Sequence, residues 1–115
     1  MLRDALRMIL LTAVLSASAC SGEPLSAEHA QFAGRWVGPG VDLEILPEGH
    51  VHWVRVEGKS RVEIEGPLQG WIDGDFVVGV MVVKTRFDVT EPPHEVDGGW
   101  VMTVDGVQLT RVEER

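Results

Sequence analysis

Two histidines one residue apart, His50 and His52, lie between carboxylates on the neighbouring runs, Glu44 before them and Glu65 after. Side chains two apart on a β-strand leave the same face. These four residues could therefore converge as an imidazole and carboxylate donor set for Zn²⁺ or Cu²⁺. The alternative, which the spacing favours, is a solvated face on which the glutamates raise the His52 pKa by opposite charge. Other reactive groups are sparse. The chain has no tyrosine and one cysteine, Cys20. After Cys20 the serines are Ser21, Ser26 and Ser60, and Ser60 stands beside Arg61 with no base in view. No Gly-x-Ser-x-Gly turn is present. Asp73, Asp75, Asp88, Glu91 and His94 could supply an acid and a base, but acidic loops are ordinarily just solvated. The expectation is a non-enzymatic protein without a cofactor.

The elements that would position these residues are marked by their turns. Gly38-Pro39-Gly40, Pro47-Glu48-Gly49, Gly58-Lys59, Gly66-Pro67, Asp73-Gly74, Pro92-Pro93 and Asp105-Gly106 separate runs rich in Val, Ile, Trp and Phe. Short strands at such spacing predict an all-β antiparallel meander, a small barrel or sandwich of about seven to eight strands. Three hairpins can be registered across their turns. Asp105-Gly106 places Val104 opposite Val107, Met102 opposite Leu109 and Trp100 opposite Arg111, with Thr103 and Gln108 on the other face. Pro47-Glu48-Gly49 places Leu43 opposite Trp53 and Glu44 opposite His52. Gly58-Lys59 places Trp53 opposite Ile64 and His52 opposite Glu65. Two independent registers thus send Trp53 inward and His52 outward.

Phe76 to Val83 is almost continuously apolar, so this run is buried on both faces, bent at Gly79, or covered by a partner. Its surplus apolar surface could line a cavity or form a docking edge. Thr90 to Gly99, with two prolines and two glycines, reads as the longest loop and a candidate rim or lid. Ser26 to Phe32 reads as one or two helical turns with Ser26 as cap. Residues 32–115 then form one β domain, and residues 20–31 a tether.

The N-terminus has the layout of an export signal. Arg3 and Arg7 precede an uncharged run, Met8 to Ala17, which is too short to span a bilayer as a helix. Ser16-Ala17-Ser18-Ala19-Cys20 resembles the lipobox of bacterial lipoproteins, although Ala17 stands where that family usually has Leu. The resemblance implies cleavage of residues 1–19 and lipidation of Cys20 with diacylglycerol and an N-acyl chain. Ser21 rather than Asp after the cysteine implies an outer-membrane protein, lipid-anchored and facing the periplasm. Without lipidation the chain would be a periplasmic protein with a free terminal thiol.

Gly34-Arg35-Trp36 opening an all-β meander resembles the Gly-x-Trp signature of the lipocalin and calycin superfamily. In that family the tryptophan plugs the closed end of a barrel and a basic residue near the last strand packs across it, a part Arg111 is placed to take. The resemblance covers about ten residues, and the chain is short for a full ligand cup. It implies an apolar ligand lined by Trp36, Trp53, Phe76 and Met102, with Arg111 beside Trp36. Otherwise these are core residues.

Removing Arg3, Asp4 and Arg7 with the leader leaves 8 basic and 17 acidic residues, a net charge of −9. So acidic a surface disfavours nucleic acid and anionic headgroups. The partners expected are the membrane through the N-terminal lipid, and an apolar small molecule or an envelope protein.

Overall fold

A computed structural model describes residues 22–113. A 3₁₀ helix (Ala27–Phe32) leads into β1 (Gly34–Gly38), β2 (Val41–Ile45), β3 (His50–Glu57), β4 (Ser60–Ile72), β5 (Asp75–Val80), β6 (Val83–Phe87), β7 (Val89–Val96), β8 (Gly99–Val104) and β9 (Val107–Val112). All neighbouring strands pair antiparallel, in the order β6-β5-β4-β3-β2-β1-β9-β8-β7. The result is the expected all-β meander with nine strands, a single sheet curled into a half-barrel. The first and last strands pair with each other, so the free edges are β6 and β7. Only Asp88 separates those two in sequence, and it is pinned to the β8–β9 turn. Asp105 N–H donates to the Asp88 carbonyl at 2.8 Å, and Asp88 N–H to Asp105 Oδ1 at 2.7 Å.

The strand alternation builds the core. Val41, Leu43 and Ile45 of β2, Val51 and Trp53 of β3, Met102 and Val104 of β8 and Leu109 of β9 are buried, with polar partners between them facing out. The three hairpin registers are those read from the turns, including Glu44–His52, His52–Glu65, Trp53–Ile64 and Met102–Leu109.

Four sequence expectations are corrected. Gly66-Pro67 is no turn, because β4 runs on for 13 residues. Beyond Pro67 it leaves β3 behind and pairs with β5, through a register shift between Leu68 and Gly70. Phe76 to Val83 is no single strand: it turns over at Met81-Val82 and returns as β6. The expected loop at 90–99 is largely strand, β7, paired with β8. Its two prolines sit on the sheet edge, within the register shift between Glu91 and His94, where a missing N–H breaks no ladder.

The fourth concerns the tether. Glu23 N–H donates to the Leu68 carbonyl and Leu25 N–H to the Pro47 carbonyl, both at 2.9 Å. Leu25 packs on the core and Phe32 is buried in it. From Glu23 onward the tether is therefore a strap bound to the body. Gly49, at φ +96°, makes room for it, since a Cβ there would come within 2.2 Å of the Glu23 carbonyl oxygen. Ser26 precedes the 3₁₀ helix as expected, but its side chain caps no backbone N–H; its hydroxyl lies 3.3 Å from His29 Nδ1, and its carbonyl accepts from the His29 N–H at 3.1 Å.

Candidate functional site

The histidine face lies on the outside of β2, β3 and β4, in the middle of the sheet. Glu44, His52 and Glu65 are aligned across the three strands, yet the hydrogen bonds run diagonally. His52 Nε2 meets Glu63 Oε2 at 2.5 Å, and His50 Nε2 meets Glu65 Oε2 at 2.9 Å. Diagonal neighbours on a twisted sheet are within reach of long side chains. Glu63 was therefore the missed partner; its signal was its place two residues before Glu65, on the same face. The Glu63 hydrogen bond, with the charges of Glu65, Glu63 and Glu44, raises the His52 pKa above its ordinary value. His52 and then Arg61 lower that of Glu63 in return. Nearby, Arg35 grips Asp42 through two nitrogens at 3.1 and 2.7 Å and lowers the Asp42 pKa. Arg35, Asp42, Glu44, His52 and Val54 line a shallow open hollow. Among the described residues no three His, Cys, Asp or Glu side chains converge as metal ligands. His50 pairs with Glu65 and His52 with Glu63 instead.

The candidate ligand-binding residues lie in the packed interior. Trp36, Phe76 and Met102 are 0% exposed and Trp53 2%. Phe76 stacks on Phe87 with centroids 4.8 Å apart, and Phe87 meets Trp53 at 5.0 Å. Trp36 donates its indole N–H to the Phe32 carbonyl at 2.9 Å. Arg111 lies across Trp36 with its guanidinium carbon 5.4 Å from the ring centroid, and 5.0 Å from that of Trp100. It also donates to the Gln31 carbonyl, tying the last strand to the strap. Gly34 permits this crossing: its φ is +131°, and a Cβ would come within 2.9 Å of Arg111 Cδ. Two aromatics that the sequence had not singled out extend the cluster. His29 stacks flat on Trp71 at 3.6 Å, and Trp71 meets Phe32 at 4.7 Å.

Asp75 is the one buried charged side chain among the described residues. It accepts from Val89 N–H and from Arg86 Nε, both at 2.8 Å, and so joins β5, β6 and β7 where the two sheet edges meet. The Val89 N–H, followed by Arg86, holds its pKa below the usual carboxylate value.

The most exposed apolar side chains are consecutive. Val80, Met81, Val82 and Val83, at the tip of the β5–β6 hairpin, are 59, 81, 91 and 77% exposed. The run that sequence marked as doubly buried or docking thus divides. Phe76, Val77 and Val78 are interior, and the last four residues stand in solvent.

No protein-family profile matches the chain, and neither a curated protein nor a solved structure matches it at a significant level. Among the described residues no helix is long and apolar enough to cross a membrane. Cys20, the candidate lipidation site, lies outside the described residues.

Proposed function

We propose that this chain is an envelope lipoprotein, anchored by lipid at Cys20 in the outer membrane, whose β domain binds an envelope component without catalysing a reaction. The leader and its lipobox-like end support the anchor. The strap carries the reading further. With Glu23 fastened to Leu68 and Leu25 to Pro47, a lipid on Cys20 would hold the domain close against the bilayer rather than on a long leash. Such a placement suits a module that works on the membrane surface or on proteins seated there.

A second reading, a small apolar ligand, is supported by an open hollow lined by Ala33, Gly34, Ile45, Leu46, Pro47 and Val112, with Arg35 and Glu44 also on its wall.

Two experiments test these readings. Cys20→Ser should release the protein from membranes into the soluble fraction; a wild type that is already soluble overturns the anchor. Native mass spectrometry of the protein from envelope extract should show an acylated chain alone or with a protein partner. A further lipid-sized mass that remains bound would move the assignment to the ligand reading.

A further inference from the structure

We propose that the β5–β6 hairpin tip, Val80 to Val83, inserts into the surface of the bilayer beside the lipid anchor and so fixes which side of the domain lies on the membrane. The inference rests on lipidation of Cys20.

The first support is the tip's chemistry set against its backbone. Four non-glycine residues of the described chain hold φ near +50°: Asp73 at 50°, Asp97 at 49°, Asp105 at 48° and Met81 at 57°. The three aspartates are each followed by glycine and form hairpin turns of the usual water-facing composition. At the fourth turn the same left-handed position carries methionine, followed by valine. A hydrophobic residue there strains the backbone and exposes apolar surface to water. Neither cost is demanded by a two-residue hairpin as such, since Asp-Gly, with both residues at positive φ, makes three such turns elsewhere in this chain, whereas at the fourth only Met81 takes that conformation. Both costs make sense for a tip that leaves water.

The second support is where the anchored end of the chain arrives. Gly22 lies against the body so closely that a Cβ on it would come 2.2 Å from the Gly49 carbonyl oxygen and 2.9 Å from Pro67 Cβ. Its neighbour Glu23 is bonded to Leu68. Gly66, next to Pro67, faces Val78 Cγ1 across 3.5 Å (measured from its Cβ position), and Val78 is paired with Leu68. The strap therefore ends one strand away from β5, two residues short of the tip. Cys20 precedes Gly22 by two residues, so their Cα atoms are at most about 7.6 Å apart. A lipid there would bring the bilayer to this side of the molecule.

Charge restricts the kind of surface the tip can enter. The tip itself carries none, and Lys84 follows it directly. Glu63 and Glu65 share a hollow with Val80 and Val83, and without Arg3, Asp4 and Arg7 the chain is at −9. Attraction to anionic headgroups is thus excluded as the driving force. Burial of the four apolar side chains in a zwitterionic interface remains.

The test uses the mature acylated protein, beginning at Cys20, in phosphatidylcholine vesicles. Acylation consumes the one native thiol, so Val82→Cys provides a single labelling site for an environment-sensitive fluorophore. Gln108→Cys, exposed on β9 in the other half of the sheet, is the reference. With vesicles, the Val82 probe should be quenched by aqueous iodide several-fold less than the Gln108 probe, and more strongly by spin-labelled lipid. Equal iodide quenching at both sites, with the acyl mass on Cys20 confirmed, overturns the tip while the anchor stands. Protection of Val82 in the soluble Cys20→Ser protein, with neither vesicles nor detergent present, assigns the tip to a second copy and also overturns it. A chain without the acyl mass overturns the anchor, and the tip inference with it. Because Val82 is 91% exposed, labelling there should leave the melting temperature unchanged, which checks that the fold is intact.

Discussion

Single side chains hold this domain closed at two places. Asp75 is buried where the sheet edges meet, and its carboxylate accepts from Val89 N–H and Arg86. Asp75→Asn keeps the shape but loses the charge, and should cost about 2 kcal/mol, the usual range for a hydrogen bond to an ionised group, read from urea unfolding. The folded pKa of Asp75 is depressed. Its contribution is therefore complete above the unfolded value near 4 and is lost as the pH falls through the folded one. Between neutral pH and acid, the wild type should lose more stability than Asp75→Asn. His52 has the opposite sign. Its folded pKa is raised, so its contribution is complete below about 6.5 and disappears as the pH climbs through the folded value. An NMR titration should place the His52 midpoint above that of a free imidazole, and Glu63→Gln should bring it down. An unchanged midpoint in that variant would mean that the 2.5 Å contact does not form in solution. Trp36 ties the interior of the half-barrel to the strap, and its removal leaves both a void and a Phe32 carbonyl without its indole donor. Trp36→Ala should cost about 3–5 kcal/mol.

At the scale of elements, the strap and the β5–β6 hairpin depart furthest from simple local rules. The strap has little periodicity and lies flat because Gly49 lets it approach. Gly49→Ala would force the Glu23 carbonyl away and also strain a left-handed backbone. Hydrogen exchange at the Glu23 and Leu25 amides should rise in that variant, well before exchange rises in the central strands β2 and β3. Exchange that rises uniformly would show that the strap has no separate hold. The hairpin offers the converse case. Met81→Asp together with Val82→Gly installs the turn used three times elsewhere in the chain, and should raise stability by about 1 kcal/mol. A gain of that kind means that the native turn is not the most stable one available, and that the apolar tip is kept for something other than folding. β7 teaches a related lesson. Two adjacent prolines read as a loop, yet an edge strand tolerates them because one side of it has no ladder to break.

For the whole molecule, the arrangement is a meander whose ends have been exchanged. β1 and β9 pair, while β6 and β7, neighbours in sequence, become the two edges. The strap, the first strand and the last strand meet at Arg111, which lies over Trp36 and donates to the Gln31 carbonyl. The strap shares the core through Leu25 and Phe32. Unfolding should therefore be a single transition in which near-ultraviolet dichroism of the tryptophans and far-ultraviolet dichroism of the sheet coincide. Separate midpoints would mean that the strap side melts by itself.

The all-β class, the positions of most turns, the inward side of Trp53, Met102 and Leu109, and the outward side of His52 are legible in the local residue pattern. These follow from two local facts: side chains alternate with period two, and a short turn fixes the register of the strands it joins. The other features arise from packing between distant parts of the chain. Which strands close the sheet depends on twist and on packing between residues far apart in the chain, as between Trp36 and Arg111, and no local period encodes that. The Met81-Val82 turn was hidden because its residues are not turn formers. The strap was hidden because its hold comes from backbone bonds to Leu68 and Pro47, which any sequence could make once a glycine at position 49 lets it come near.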